Sequence, residues 1–457
     1  MRRLYTLLLL LALPFASVVV WWRGWRERGY WQGWSARFGA GPALPGAERG
    51  IWLHAVSVGE VQAAGSLVAA LRAQWPALPL VVTAATPAGC ARARAAFGPD
   101  VEVRYAPYDL PVCVRGALRR LRPRLLLIME TEIWPNLLDA CARSGVPVLF
   151  VSARLSARST ARLRRCGGLL QPALRTVVTV AAQTAADAAR FAALGVAAER
   201  TPVCGNLKFD RTPDAQLCAT GQALRDRYAR GRPLWVAGST HAGEEAAALT
   251  AHAALRAVLP QALLVLAPRH RPRFDEVAQL LDRSGLKWIR RSTAAADALA
   301  PDDAAVLLLD SIGELESFYA GADLAFVGGS LAPIGGHNLL EPAALGVATL
   351  AGPQQANAPD IARLLEAAGA LRIVRDAGEL GAALLALYAD SAARARMGAA
   401  GQAVVAANRG ALARVLQLVR ERVMPPDPVT PPADRAAPPP GSAAVPASAP
   451  PVPPASR

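Results

Sequence analysis

The stretch HAVSVGE, residues 54–60, ends an apolar run and leads into a helix-like pattern, VQAAGSLVAALRAQ. Ser57 and Glu60 have the S-x-x-E spacing of a capping box, in which the two side chains satisfy free amides of a first helical turn. A carboxylate at the same place, where a strand ends, is also set to take a proton from a substrate hydroxyl. Spacing alone leaves both readings open. METEIWPN, residues 129–136, adds two more carboxylates. If the strand continues, alternation points Glu130 and Glu132 the same way. Like charges at the edge of an apolar strand must be solvated, paired or protonated. The plainer reading has Thr131 or Glu132 capping a helix that starts at Pro135. GNLKFD, residues 205–210, carries Lys208, one of two lysines among fifty basic residues. Where arginine is the default cation, a retained lysine points to a need for a compact ammonium, unless it is an ordinary surface lysine.

Further along, GSTHAGEE (238–245) follows an apolar run, and amides and hydroxyls at such a helix start hold anions. APRHRPRF (267–274) sets Arg269, His270, Arg271 and Arg273 just past a strand end, an attractor for phosphate or carboxylate. SIGELE (311–316) repeats the box with Ser311 and Glu314, and GGSLAPIGGHNLLEPAALG (328–346) gives Asn338 with Glu341. All three boxes fit helix caps. Each also has glycines within it or just before it, which a cap does not need and a nucleotide approaching the backbone does.

The elements that must position these residues are strands and helices in alternation. Ten apolar runs read as strands: 51–56, 78–84, 124–129, 146–151, 176–182, 234–239, 262–268, 305–310, 324–328 and 347–352. Continuous apolar strands between helical patterns mean parallel sheets covered on both faces. Their two groups predict two doubly wound α/β domains facing a cleft, with the seam in residues 210–233. Ligands in such folds sit at the carboxyl ends of strands.

The first strand lacks G-x-G-x-x-G and no P-loop lysine motif appears, which disfavours an oxidoreductase or a Walker-type nucleotide site. Six cysteines show no C-x-x-C and no cluster, the pattern of free thiols and not of a disulfide frame or zinc site. The formal charge is +15 on a chain that is 53% apolar. Without an arginine-rich arm or a nucleic-acid module, that charge suits anionic lipid and substrate and not nucleic acid. Residues 4–22 carry no charge, nearly span a hydrocarbon core, and end among Trp21, Trp22, Trp25 and three arginines. This predicts a single-pass anchor with the bulk of the chain in the cytoplasm. The rival, a cleaved signal peptide, lacks a clean small-x-small site. From residue 424 the chain is Pro- and Ala-rich and predicts a disordered tail.

Taken together, HAVSVGE, METEIWPN, SARLSARS (152–159), GNLKFD, STHAGEE, PRHRPRF and the GGS, GGHN and LEP triplets and quartet of residues 328–342 resemble the Kdo (3-deoxy-D-manno-octulosonic acid) transferases of lipid A core assembly. The likeness runs over residues 3–423, in family order and spacing. It implies a GT-B glycosyltransferase of the cell inner membrane, with CMP-Kdo as donor, a tetraacylated lipid A precursor (lipid IVA) as acceptor, and no active-site metal or cofactor. It implies a division into anchor (1–23), acceptor domain (24–210), donor domain (211–423) and tail (424–457). Carried across by motif, Glu60 matches the general base, and Glu130 and Lys208 match positions that stabilise the transition state. Pro268, Arg269, Ile312, Gly313, Glu314, Asn338, Leu339, Leu340 and Glu341 match the CMP site. Two other readings keep the cleft: a GT-B enzyme for another nucleotide sugar, and a membrane-tethered glycan-binding protein without catalysis.

Overall fold

The computed structural model describes residues 2–44, 49–165, 167–176, 178–293 and 303–423. The Pro-rich tail expected from residue 424 lies outside them.

Two fully parallel sheets organise the chain. The first comprises β1 (Ile51–His54), β2 (Leu80–Ala84), β3 (Glu102–Tyr105), β4 (Leu125–Met129), β5 (Val148–Ala153) and β6 (Val178–Ala182), in the order β3-β2-β1-β4-β5-β6. The second comprises β7 (Leu234–Thr240), β8 (Leu263–Pro268), β9 (Trp288–Arg290), β10 (Val306–Leu308), β11 (Leu324–Val327), β12 (Ala348–Ala351) and β13 (Leu371–Ile373), in the order β13-β12-β11-β7-β8-β10-β9. Every residue of β1, β2, β4, β5 and β6 is buried. The apolar runs are continuous because helices cover both faces. This is the GT-B architecture expected from the sequence: two doubly wound sheets and an apolar amino-terminal helix.

Each sheet has one switch point. In the first it lies between β1 and β4, paired from Ile51 against Leu125 to His54 against Ile128. In the second it lies between β7 and β11, paired from Trp235 against Leu324 to Gly238 against Val327. Ligand crevices open just beyond the carboxyl ends of such neighbours.

The chain crosses between the sheets at residues 204–211 and returns at 408–414. Both carboxylate oxygens of Asp210 accept from the returning segment, from Gly410 N and Leu412 N at 2.6 Å each, and Arg414 Nε donates to the Cys204 carbonyl at 2.8 Å. The final helix, Ala411–Val423, then sets Val415, Val419 and Val423 into the core of the first sheet. A boundary drawn in sequence at residue 210 does not anticipate this return.

Five described cysteines are free thiols; Cys90, Cys113, Cys141 and Cys204 are buried and Cys218 is exposed. Burial pushes Cys141 up to about 12. Cys166 lies outside the described residues.

Candidate active site

Both Glu60 and Glu130 leave the switch point of the first sheet, Glu60 after β1 and Glu130 after β4. Glu60 stands in the first turn of helix Val58–Ala63 and is 8% exposed. The capping box is present: Ser57 Oγ accepts from Glu60 N at 3.2 Å and donates to Glu60 Oε1 at 2.9 Å. The other oxygen, Oε2, accepts from Val56 N at 2.8 Å. Each oxygen therefore makes one bond, and an ionised carboxylate offers about four acceptor sites. Burial raises the Glu60 carboxyl to about 7; the bonds from Ser57 and Val56 hold it down, and the charges of Glu132 and Glu130 add to the rise. The cap and the proton acceptor are thus the same group.

Glu130 does not continue the strand. Its φ is 51°, in the left-handed region, and its N–H donates to the Val151 carbonyl at 2.9 Å. Strain of this kind costs about 1–3 kcal/mol and gathers at functional sites. The turn aims the carboxylate between two cations: Lys208 Nζ donates to Oε1 at 3.0 Å and Arg154 Nε lies 3.3 Å from Oε2. Lys208 is held by a short turn, Leu207–Phe209, whose cap is Asn206. Ser152, also at a φ of 51°, donates structure to the same turn by accepting from Leu207 N at 3.0 Å. Strand alternation would have set Glu130 and Glu132 side by side. Instead Glu132 accepts from Trp134 Nε1 at 2.8 Å. Neither Thr131 nor Glu132 caps helix Pro135–Ser144; Asp109 does, accepting from Asn136 N and Leu137 N.

The second sheet repeats the plan. Pro268 ends β8, and Arg269 just beyond it is exposed, with its N–H on the Thr240 carbonyl at 3.0 Å. Among the described residues Arg269 makes no ion pair. Ile312 is 56% exposed, Gly313 has a φ of 97°, and Glu314 pairs with Arg291 at 2.6 Å and accepts from Ser311. Asn338 accepts from Leu340 N at 3.2 Å and donates to Glu341 Oε1 at 3.1 Å, just before helix Leu340–Ala344, with Leu339 and Leu340 buried beneath. Burial raises the Glu341 carboxyl and the Arg211 charge opposes it. Arg211 sits three residues past Lys208 and reaches Glu316 at 2.6 Å and Glu341 at 3.7 Å. It ties the first sheet's cation site to the second sheet's acidic turn.

Three arrangements were not foreseen from the sequence. Glu244, 1% exposed at the start of helix Glu244–Val258, is wrapped by amides: Oε2 accepts from His241 N and Gly329 N, and Oε1 from Ser330 N, Leu331 N and Ala332 N, all at 2.7–3.2 Å. The anion held by the Gly328–Gly329 loop is the protein's own carboxylate. A Cβ at Gly328 would lie 2.6 Å from the Ser239 carbonyl. That glycine serves loop-to-strand packing. Arg273 is likewise spoken for, gripping buried Glu245 at 2.5 and 3.2 Å. Last, His241 Nε2 and His337 Nε2 lie 2.8 Å apart with near-parallel rings, and His270 meets His241 edge-on at 5.3 Å between ring centroids. Burial, then the nearby Arg269, press His337 down to about 4, and burial lowers His241. Both are neutral at pH 7, one donating and one accepting. The histidines of STHAGEE, PRHRPRF and GGHN were a visible signal, since each ends or adjoins a motif at a strand end.

Residues 32–211 match the family model for the 3-deoxy-D-manno-octulosonic-acid transferase amino-terminal domain. The chain is 39% identical over 421 residues to a 3-deoxy-D-manno-octulosonic acid transferase of Haemophilus influenzae, covering 92% of this chain and 98% of the relative. It is 40% identical over 432 residues to one of Bordetella pertussis, covering 92% and 99%. In fold alone it is similar to the UDP-GlcNAc 2-epimerase of Neisseria meningitidis, with a TM-score of 0.53, 12% identity, and coverage of 82% of this chain and 99% of that one. The near end-to-end identity to the two transferases settles the assignment: the chain belongs to the 3-deoxy-D-manno-octulosonic acid transferases, a family of glycosyltransferases.

Proposed function

We propose that the enzyme moves Kdo from CMP-Kdo to a tetraacylated lipid A precursor, lipid IVA, with inversion, at the cytoplasmic face of the inner membrane. Glu60 is the base, and Glu130 and Lys208 are its partners. Residues 24–210 take the acceptor and 211–423 the donor, with the last helix returned to the acceptor unit. The carrying observation is Glu60: a carboxyl raised to about 7, at a switch point, beside a carboxylate flanked by two cations. A base is most effective with a pKa near the working pH.

The acceptor hydroxyl oxygen bonds to the anomeric carbon as its proton passes to Glu60. The bond from that carbon to the phosphate oxygen breaks, and CMP leaves with the electron pair. Glu60 keeps its contacts to Ser57 and Val56 throughout, which orients the free acceptor sites. Lys208 and Arg154 together outweigh Glu130 by one charge, which suits an acidic sugar. Arg269, unpaired among the described residues and close enough to lower His337 and Glu341, takes the departing phosphate. Pro268, Ile312, Gly313 and Glu314 line the cytidine side, and Asn338 through Glu341 the ribose side.

Purified enzyme with lipid acceptor and a panel of CMP- and UDP-sugars tests the donor. Consumption of CMP-Kdo alone is expected. Turnover of a UDP-hexose with CMP-Kdo untouched would replace the reading with that of another GT-B transferase, and no turnover of any donor would leave a binding protein.

A further inference from the structure

Strand β7 falls out of step with β8 just before the crevice of the second sheet. Gly238 pairs with Ala267 and Thr240 with Pro268, which leaves Ser239 as one residue too many, a bulge. Its φ is 56°, in the left-handed region that a residue other than glycine adopts at a cost. Bulges of this kind re-aim side chains next to ligand sites. β7 is a central strand, bonded to β11 on one side and β8 on the other, and the rest of it is buried. Ser239 is nevertheless half-exposed, and its hydroxyl has no hydrogen-bond partner among the described residues. For a residue so flanked the one way out is the carboxyl edge, so the hydroxyl faces the crevice.

Two residues on, His241 meets His337, Nε2 to Nε2 at 2.8 Å, with the rings stacked at 11°. One proton lies between them. The ring that accepts it carries its own proton on Nδ1, because a neutral imidazole has a single N–H. Neither Nδ1 has a hydrogen-bond partner among the described residues. Whichever ring donates across the pair, it therefore presents one unengaged Nδ1–H and one bare Nδ1. The loop is shaped to hold this arrangement. His337 N donates to the Gly328 carbonyl at 3.2 Å, and a Cβ on Gly329, whose φ is 68°, would lie 2.7 Å from the His337 ring. That glycine is needed by the histidine.

Arg269 stands beside the pair, near enough for its charge to act on His337, and its N–H is fixed on the carbonyl of Thr240, between Ser239 and His241. The two acids of the same segment are already engaged: five amides enclose Glu244, and Arg273 grips Glu245. What this edge has to offer is an O–H, an imidazole N–H and a guanidinium, all donors. A phosphate, whose oxygens accept, is their complement. We infer that Ser239 Oγ and the unengaged Nδ1–H of the His241–His337 pair hold the donor's phosphate beside Arg269. Arg269 supplies the charge, and the neutral pair and the hydroxyl fix the phosphate's position before and after the bond to the sugar breaks. The inference rests on the nucleotide-sugar donor proposed above and adds three residues to its site.

Titration of the full-length enzyme with CMP, UMP, cytidine and uridine tests this, followed by ligand-detected NMR, which reaches millimolar affinities. The quantity read is the ratio of nucleotide to nucleoside affinity, which separates the phosphate from the base. Ser239→Gly removes the hydroxyl and eases the backbone. His241→Phe combined with His337→Phe keeps two rings and no imidazole nitrogen. Each change should lower the ratio by about tenfold, the effect of one hydrogen bond to a charged group, with nucleoside affinity held within about twofold. A ratio unchanged within about twofold in Ser239→Gly, the variant with the milder change, would overturn the inference. So would equal losses for nucleotide and nucleoside, the mark of a merely structural role. A parent enzyme that prefers UMP to CMP would overturn the donor reading and leave the ratio test standing, so the two fail separately.

Discussion

Glu60→Gln separates the two jobs assigned to one side chain. Moving a carboxyl from its ordinary 4.5 to about 7 means that the charged form is disfavoured in the fold by about 3 kcal/mol. The folded pKa lies above the unfolded one. The associated stability is therefore fullest below about 4.5 and falls as the pH rises through about 7. Glutamine carries no charge and escapes that penalty at pH 8. It also keeps only one acceptor oxygen, so the bond from Val56 N or the one from Ser57 is lost, about 1–2 kcal/mol. The net expectation is a variant more stable than the parent at pH 8 by about 1–2 kcal/mol, a Tm rise of roughly 1–3 °C. At pH 5.5 the protonated parent closes that gap. At pH 8 transfer should fall by about 10²–10⁴. In the parent, kcat/KM should drop about tenfold per pH unit below 7 and level off above it. Scanning calorimetry at the two pH values and a discontinuous transfer assay read both quantities. A Glu60→Gln enzyme that is less stable at pH 8 and turns over normally would show a cap and nothing more.

Lys208→Met should leave CMP binding, measured by calorimetric titration, within about twofold and lower transfer by about 100-fold, because it removes one of the two cations on Glu130. Arg269→Ala should weaken CMP binding by about 10–100-fold with Tm unchanged, the usual size of a charge-assisted hydrogen bond. Arg273→Ala should do the reverse: it strands Glu245, whose side chain is 1% exposed, and should lower stability by about 3–5 kcal/mol while folded enzyme keeps its CMP affinity within about threefold. Glu244→Gln should reduce stability by about 2–4 kcal/mol and raise amide hydrogen exchange at residues 329–332, which lose their shared anion.

What was legible in the sequence follows from burial. The ten expected strands are all present, because each carries an apolar run that helices cover on both sides. The three that were missed, β3, β9 and β13, are all edge strands. EVRY, WIR and LRI are short and partly exposed, so they lack the run that marks a central strand. The motifs of the site were readable as glycine, acid and lysine at strand ends. Their wiring was not. METEIWPN suggested a strand continuing to Glu132, but the left-handed turn at Glu130 redirects that carboxylate to Lys208 and Arg154, partners 78 and 24 residues away. The glycines of 328–329 suggested a nucleotide at the backbone, whereas the amides of residues 329–332 enclose Glu244 from a helix 85 residues before Gly329. Long-range pairing of this kind leaves no local spacing to read. The capping box at Ser57 was read correctly as a box, and spacing could not reveal that its glutamate is also buried enough to titrate near neutrality.

Mass analysis of the lipid product addresses the transfer itself. Purified enzyme, CMP-Kdo and lipid IVA at pH 8 should yield acceptor heavier by one or more whole Kdo residues with CMP released in equal number, and the Glu60→Gln enzyme in the same tubes should yield less than about a hundredth of it. Unmodified lipid from the parent enzyme, or equal product from both, would contradict the account.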